Sequence, residues 1–209
     1  MDELGFGLGS VSEVILTTVK PDESMNAAPM GALRTGPEIL EIKPFKTSVT
    51  YRNLLGHGRA CINVTSDPAL FLVTAFKEEE FKGFPKPSFS RGMRLDSSDA
   101  HVFIEVTESR DMSEDRARFT CTATSVEMCR PKPRVFSRGR SEAIEAVVHA
   151  TRIEVFTREG RWERVESLIR RFSECKDVVE RVSAPDSKEA RIIRELERLI
   201  AGWGERKRR

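Results

Sequence analysis

The chain has 209 residues, of which 39% are hydrophobic and 33% charged, so it can bury one sizeable core or a core with a helical appendage. Lys and Arg number 35 against 33 Asp and Glu, and a net charge of +2 lacks the basic excess typical of nucleic-acid binding. No apolar run approaches the ~20 residues that span a bilayer, and the N-terminus lacks the features of a signal peptide. Four cysteines without CxxC or zinc-like spacing predict a reducing cytoplasm and no metal.

The first part of the chain predicts strands joined by tight turns. Residues 13–20 are rich in β-branched side chains, and a second strand follows at 25–35. Between them lies Pro21-Asp22-Glu23-Ser24, where Pro presets φ and Asp can bond the local backbone, so the pair forms a hairpin. Pro29 removes a donor from the ladder, which predicts a bulge or a sheet edge there. A third strand is predicted at 38–43.

A short helix comes next in the predicted order. Thr47 or Ser48 can serve as its N-cap, and Gly56 or Gly58 ends it. Residues 59–65 then predict a fourth strand.

A second short helix and two later strands complete the β-rich part. Asp67-Pro68 places an N-cap before a proline at the first helical position, which opens an apolar helix through Phe76. Residues 77–98 are polar and predict a long loop. Strands follow at 101–108 and 116–128. In the last strand the alternate residues are apolar, which is a half-buried pattern: Ala117, Phe119, Cys121 and Ala123.

Beyond Arg130-Pro131-Lys132-Pro133 the pattern becomes helical. Ser141 can cap a helix through His149. A second helix is predicted from apolar residues at helical spacing: Trp162, Val165, Leu168, Ile169 and Phe172. Pro185 breaks the chain, and Asp186-Ser187-Lys188-Glu189 resembles a capping box before a third helix. Its apolar face comprises Ile192, Ile193, Leu196, Leu199 and Ile200.

The order of elements predicts an α+β chain, with a β-rich domain over residues 1–129 and a helical subdomain over 130–209. No GxSxG, Walker or GxGxxG motif is present. His57 and His101 have no metal-ligand partners in register. Metal and nucleophile chemistry are therefore unsupported.

The densest polar cluster lies at the predicted start of the first helix, in Lys46-Thr47-Ser48-Val49-Thr50-Tyr51-Arg52-Asn53. A helix N-terminus offers free N–H groups and a favourable dipole for an anion. The hydroxyls add neutral donors, and Lys or Arg adds charge-assisted hydrogen bonds. The segment fits a phosphate monoester, but on the local pattern alone a capped helix with a solvated face is the more common explanation.

Two other segments are candidates for ligand contact. In Asn26-Ala27-Ala28-Pro29-Met30-Gly31-Ala32, small residues would let a flat ring approach the main chain, although a bulged edge strand explains them without a ligand. In the C-terminal part, His149 could act as a base or contact a phosphate, and Arg152 could clamp an anion. A lone His on a helix is more often structural.

Four segments together resemble a known family: Asn26-Ala27-Ala28-Pro29-Met30-Gly31, Pro44-Phe45 to Leu54, Cys61-Ile62-Asn63-Val64-Thr65-Ser66-Asp67-Pro68, and His149-Ala150-Thr151-Arg152. The chain is similar to a largely archaeal flavoprotein family of unknown function, related to the flavin-reductase-like FMN-binding split barrels. The resemblance runs from about Glu13 to Arg152.

The resemblance implies a mainly antiparallel split β-barrel of six strands that forms a homodimer, with one FMN in each of two interfacial clefts. The helical part would cover the barrel or extend the dimer interface. Main-chain atoms would line the isoalloxazine at Ala28, Pro29, Met30 and Gly31. The phosphate would be held by Thr47, Ser48 and Thr50 with Lys46 or Arg52. Supporting contacts to the phosphate loop or the polar edges of the cofactor would come from Asn53, Asn63, Thr65, His149 and Arg152.

Three functions remain open at this point. An FMN-dependent oxidoreductase would take hydride from a nicotinamide such as NAD(P)H, and it needs no classical acid or base. The alternative is a flavin carrier, store or sensor without turnover. A nucleic-acid role through Arg130-Pro131-Lys132-Pro133-Arg134, Arg138-Gly139-Arg140 and the basic tail is disfavoured, because neighbouring acids cancel the charge.

Overall fold

Eight strands and five helices are found in the computed structural model, which describes residues 1–9, 11–90, 92–129 and 138–206. The strands are β1 (Val11–Val19), β2 (Met25–Arg34), β3 (Ile39–Ile42), β4 (Arg59–Val64), β5 (Phe89–Ser90), β6 (Arg94–Leu95), β7 (Ala100–Asp111) and β8 (Ala117–Met128). Six of them close into a barrel in the order β1-β2-β3-β8-β7-β4, with every neighbouring pair antiparallel. The predicted six-stranded antiparallel barrel is confirmed.

The barrel closes because alternate residues of each strand are apolar and face one core. The core residues on the strands are Val14, Leu16, Ala32, Leu40, Ile42, Ala60, Ile62, Val102, Ile104, Ala117, Phe119 and Cys121. Burial raises the pKa of the Cys61 and Cys121 thiols to about 12, so both remain protonated and inert at neutral pH.

The β1–β2 hairpin forms as predicted, and its turn uses the predicted side chain. Asp22 Oδ1 accepts hydrogen bonds from Ser24 N at 3.0 Å and from Ser24 Oγ at 2.6 Å. Pro29 faces Ile15 in an unbroken register, so the strand has no bulge at this point. β3 pairs only with residues 32–34, which leaves residues 25–31 with β1 as their one strand partner in the described chain. Of the two predicted explanations for Pro29, a bulge or a sheet edge, the structure therefore shows the sheet edge.

Helix α1 (Val49–His57) is bounded by predicted caps. Ser48 is the N-cap, and Gly58 ends the helix in the left-handed conformation with φ of 64°. Its buried face meets β1 and β2, where Leu54 joins the barrel core.

Three predicted elements differ from the structure. The loop predicted over residues 77–98 contains the short pair β5–β6, whose strands are too brief for a period-2 pattern. Strand β7 extends to Asp111 because β8 pairs with it along its whole exposed end. Helix α3 (Arg138–Arg158) runs past both predicted limits, so Ser141 lies within the helix and is not its cap.

The helices form a unit of their own. It contains α2 (Pro68–Ala75), α3, α4 (Trp162–Val182) and α5 (Lys188–Arg206). Asp67 caps α2 as predicted, through a bond from Ala69 N at 2.9 Å. Within the segment predicted as a capping box, Asp186-Ser187-Lys188-Glu189, Ser187 is the residue that caps α5, through a bond from Ala190 N at 3.2 Å. The predicted apolar faces of α4 and α5 are mostly buried. Trp162 and Ile200 are half-buried, and Ile169 is 37% exposed.

The chain divides into two compact units: Met1–Thr65 with Pro87–Pro133, and Ser66–Lys86 with Arg134–Arg209. This division groups Ser66–Lys86 with the helices, because α2 packs against α3 and α5. The domain boundary predicted between residues 129 and 130 stays a prediction. In the described part of the chain, no helix is both long and apolar enough to cross a bilayer. The predicted basic loop at 130–134 and the end of the tail, 207–209, lie outside the described residues.

Candidate functional site

The N-terminus of α1 is built around the hydroxyl of Ser48. Ser48 Oγ accepts a hydrogen bond from Tyr51 N at 3.1 Å and donates to the Phe45 carbonyl oxygen at 2.7 Å. The N–H groups of Val49 and Thr50 come before the first intrahelical acceptor, as in any α-helix. No acidic residue stands in the first turn of the described α1. The helix therefore begins with donors and without an acidic side chain in its own first turn.

The buried side of this turn is held by a polar network. Thr50 and Asn53 are 2% and 3% exposed. Asn53 Nδ2 donates to Thr18 Oγ1 at 2.9 Å, and Asn26 Nδ2 donates to Thr50 Oγ1 at 3.3 Å. These bonds tie α1 to β1 and β2. Thr50 and Asn53 therefore hold the helix in place, while their predicted contact with a phosphate stays a prediction.

The solvent side of the same turn carries the cations. Thr47 and Arg52 are exposed, and Arg52 Nη1 donates to the Thr47 carbonyl oxygen at 3.4 Å. Lys46 Nζ lies 2.8 Å from Asp111 Oδ2, at the far end of β7. The Asp111 carboxylate is 72% exposed, so water screens this ion pair and a ligand anion can compete for the ammonium.

The tip of the β7–β8 hairpin also contacts the segment that leads into α1. The Arg116 guanidinium lies 3.8 Å from the centroid of the Phe45 ring, and Arg116 Nη1 donates to the Lys43 carbonyl oxygen at 2.8 Å. Lys46 N donates to the Asp115 carbonyl oxygen at 2.9 Å. Sequence reasoning missed Asp111 and Arg116, because nothing near them in the chain indicates which segment they meet.

The predicted ring-binding stretch of β2 has a usable main-chain edge. Ala28, Pro29, Met30 and Gly31 are all half-buried, and β1 is their one strand partner among the described residues. In an antiparallel pair, alternate residues direct N–H and C=O away from the partner strand. A Cβ added at Gly31 would lie 3.1 Å from Val11 Cγ1, so the cross-strand approach also favours glycine there. The edge offers a flat polar group main-chain donors and acceptors.

Asn63 belongs to a different set of contacts, which we call the Asn63 cluster: Asn63, Thr17, His101 and the main chain of Ile15, Cys61 and Leu95. Asn63 Nδ2 donates to Ile15 O, Thr17 Oγ1 and Cys61 O at 3.0, 2.9 and 3.2 Å. Its Oδ1 accepts from Leu95 N at 2.8 Å and lies 3.0 Å from His101 Nδ1. Because an amide oxygen only accepts, His101 carries its proton on Nδ1. The amide of Asn63 is fully used within the protein.

The other predicted residues lie elsewhere. Thr65 follows β4 and is 8% exposed. His149 and Arg152 lie on α3, in the helical unit, and His149 Nε2 is 3.4 Å from Glu145 Oε1. Burial lowers the pKa of His149, against the opposing influence of Glu145, so the ring is neutral at pH 7. His149 Nδ1 is buried with no hydrogen-bond partner among the described residues.

The structure thus brings together Lys46, Thr47, Ser48, Thr50, Arg52 and Asn53 around one helix start. It leaves Asn63 in a separate, closed cluster. The cations at the helix start, together with the exposed Thr47 hydroxyl and the first N–H groups of the helix, match what a phosphate dianion requires. Among the described residues, no group of three or more His, Cys, Asp or Glu side chains is arranged to hold a metal ion.

Family models identify the chain. Residues 12–130 match the N-terminal domain of the family described as "Protein of unknown function (DUF447)", and residues 137–200 match the second domain of the same family. Together these matches span most of the chain. The chain therefore belongs to the DUF447 family, and the family resemblance found in the sequence is confirmed.

Solved structures extend the similarity. An FMN-bound DUF447 protein of Methanosarcina mazei is 26% identical, with a TM-score of 0.68, over 93% of this chain and 98% of its own. The flavin reductase of a styrene monooxygenase from Pseudomonas putida S12 is 14% identical, with a TM-score of 0.46, over 59% of this chain and 82% of its own. A Pseudomonas fluorescens 2-nitrobenzoate 2-nitroreductase is 13% identical, with a TM-score of 0.46, over 61% and 69%. Only the first is close enough to bear on this chain, and it confirms the predicted fold class.

Proposed function

We propose that this protein binds FMN, with the phosphate at the N-terminus of α1 and the isoalloxazine along the open edge of β2. The observation that carries the proposal is the whole-length similarity to an FMN-bound member of the same family. The donor set at α1 supports it independently, because cation, hydroxyls and helix dipole all favour a dianion.

Each residue has a distinct task in this proposal. Lys46 supplies a charge, and Thr47 supplies a hydroxyl donor to the phosphate. Ser48, whose hydroxyl donates to the Phe45 carbonyl oxygen, caps the helix and positions the N–H groups of its first turn, and the contact predicted between Ser48 itself and the phosphate stays a prediction. Thr50 and Asn53 keep the helix start fixed against β1 and β2 through the bonds already described. The main chain of residues 28–31 lies against the ring. Arg52, Thr65, His149 and Arg152 remain predicted supporting contacts. The contact predicted for Asn63 is not part of this proposal, because its amide is already bonded within the protein.

The proposed activity is that of an oxidoreductase using a nicotinamide or another electron donor. FMN, when bound, accepts and passes on hydride, and the protein residues bind and orient it. No described side chain need act as an acid or base in this role. A carrier, store or sensor would use the same FMN site without turnover, so the two functions differ in whether a donor reduces the bound flavin.

The predicted homodimer and the cytoplasmic location belong to the same proposal. The half-buried β2 edge supports the dimer, since a second protomer would cover a ring lying there. Cys61, Cys121 and Cys175 are buried and form no disulfide, which is compatible with a reducing compartment. Sedimentation of the protein with and without FMN measures the oligomeric state directly, and a monomer in both would contradict the dimer.

The test is a titration of the flavin-free protein with FMN, riboflavin and FAD, followed by absorbance and fluorescence. FMN should bind at least tenfold more tightly than riboflavin, because charge-assisted hydrogen bonds to a phosphate contribute about 1.5–3 kcal/mol. Equal affinity for FMN and riboflavin would rule out the phosphate site. Reduction of the bound FMN by NADH or NADPH under anaerobic conditions then separates an oxidoreductase from a carrier.

A further inference from the structure

Arg116 connects the β7–β8 hairpin to the segment before α1 through both backbone and side chain. Phe45 and Arg116 form an isolated antiparallel bridge, next to the bond from Lys46 N to Asp115 O at 2.9 Å. The Arg116 guanidinium covers the Phe45 ring at 3.8 Å and bonds to Lys43 O at 2.8 Å. The Arg116 guanidinium thus fixes the ring of Phe45, and the bonds to Lys43 O and from Lys46 N fix the backbone before and after it.

From Phe45 the contacts continue into the helix cap. The Phe45 carbonyl oxygen accepts from Ser48 N at 3.0 Å and from Ser48 Oγ at 2.7 Å. The same Oγ accepts from Tyr51 N at 3.1 Å, which sets the first turn of α1. A displacement of Phe45 therefore moves the hydroxyl of Ser48 and the N–H groups that follow it.

We propose that Arg116 is a positioning residue for the flavin phosphate site, acting through Phe45 on the Ser48 cap. This inference rests on the proposed function. Arginine suits the role because its planar guanidinium stacks on an aromatic face while its N–H groups donate in a fixed plane. Lysine keeps the charge but loses the flat stacking surface. The effect of Arg116→Lys therefore separates geometry from electrostatic attraction.

The experiment compares FMN and riboflavin affinities of the full-length protein, its Arg116→Lys variant and a matched control, Arg118→Lys. Arg118 lies two residues further along β8, and its guanidinium is 3.5 Å from Glu41. Arg116→Lys should weaken FMN binding about tenfold, because misplaced donors lose hydrogen bonds to a charged group. Riboflavin binding should stay unchanged, and Arg118→Lys should match the wild type for both flavins.

A double-mutant cycle with Phe45→Leu tests the route of the effect. Phe45→Leu should weaken FMN selectively, and Arg116→Lys should add little in that background. If Arg116→Lys does not fold, Phe45→Leu alone carries the test, and an unchanged ratio of the two affinities would overturn the inference.

The other outcomes are equally decisive. Wild-type protein that does not prefer FMN to riboflavin contradicts the proposed phosphate site itself. A wild type that prefers FMN, with Arg116→Lys keeping the same preference, overturns only the role of Arg116. An equal loss for both flavins would also overturn it, because a general loosening of the barrel is not a positioning effect at the phosphate.

Discussion

Two polar clusters of the barrel unit contain similar residue types but use them in opposite ways. In the Asn63 cluster the amide is fully buried, and its donors and acceptor all have partners within the protein. At the start of α1, Thr47 and Arg52 are exposed, and the first N–H groups precede any helical acceptor. Amide and hydroxyl side chains thus say little about function until their hydrogen bonds are traced. A closed cluster stabilises the fold, and an open one can accept a ligand.

The largest effect should come from opening the closed cluster. Asn63→Ala would leave Leu95 N, Thr17 Oγ1 and His101 Nδ1 without their amide partner, and should lower the free energy of unfolding by about 3 kcal/mol. Denaturant unfolding measures this. As a control, Thr107→Ala removes an exposed hydroxyl bonded to Thr120 O, and should change stability by less than ~0.5 kcal/mol. A stable Asn63→Ala protein that loses FMN would reverse the comparison and assign Asn63 to the ligand.

The open cluster should show the opposite behaviour when its cation is removed. Lys46→Met should weaken FMN binding about tenfold and leave riboflavin binding unchanged, since only FMN carries the phosphate dianion. The free energy of unfolding should change by less than ~1 kcal/mol, because the pair with Asp111 is solvent-screened. Lys43→Met is the matched control, as Lys43 pairs with Glu41 at 3.1 Å. Equal effects of the two variants on FMN would show that net charge, not position, matters.

Ser48 shares features of both clusters. Its hydroxyl is hydrogen-bonded within the protein, as the amide of Asn63 is, but the residue is half-exposed. Ser48→Ala removes the bond from Tyr51 N and should cost about 1 kcal/mol in unfolding free energy. It should also weaken FMN binding several-fold.

Thr47→Ala, at an exposed hydroxyl, should weaken FMN binding without a measurable change in thermal stability. The comparison would fail if Thr47→Ala destabilised the protein as much as Ser48→Ala.

The smallest effect is expected at His149. Its Nε2 lies 3.4 Å from Glu145 Oε1, whereas its Nδ1 has no hydrogen-bond partner among the described residues. Burial lowers its folded pKa below the ordinary value of 6.5, so the unfolded chain takes up the proton first as pH falls. The contribution of His149 to stability is therefore fully present above about pH 6.5 and decreases below it. Unfolding of wild type and His149→Gln across pH 5 to 8 should show a shallower acid loss in the variant. Parallel curves would contradict the prediction.

Caps and strand faces could be predicted from the sequence because their causes are local. Ser48 and Asp67 cap helices as expected, each through a bond from a residue two or three positions on, and the predicted capping segment before α5 contains the cap Ser187. The alternation in β8 identified its buried face. The start of α3 could not be predicted in this way, because serine favours caps but Ser141 lies inside a helix that begins at Arg138. The pair β5–β6 was missed because two-residue strands have no periodicity.

The sequence by itself determined the strands of the β-rich part, the helices that follow and the polar segment at the start of α1, because periodicity, caps and turn residues act over a few positions. The closed antiparallel barrel was implied only by the family resemblance. Only the tertiary structure decided which polar groups have their hydrogen bonds satisfied within the protein. Asn63 meets Ile15 across 48 residues, and Arg116 meets Lys43 across 73. Hydrogen bonds between such distant positions exist only after the barrel closes, since no local pattern encodes the partner. The difference between a structural amide and an available donor is therefore a property of the folded barrel.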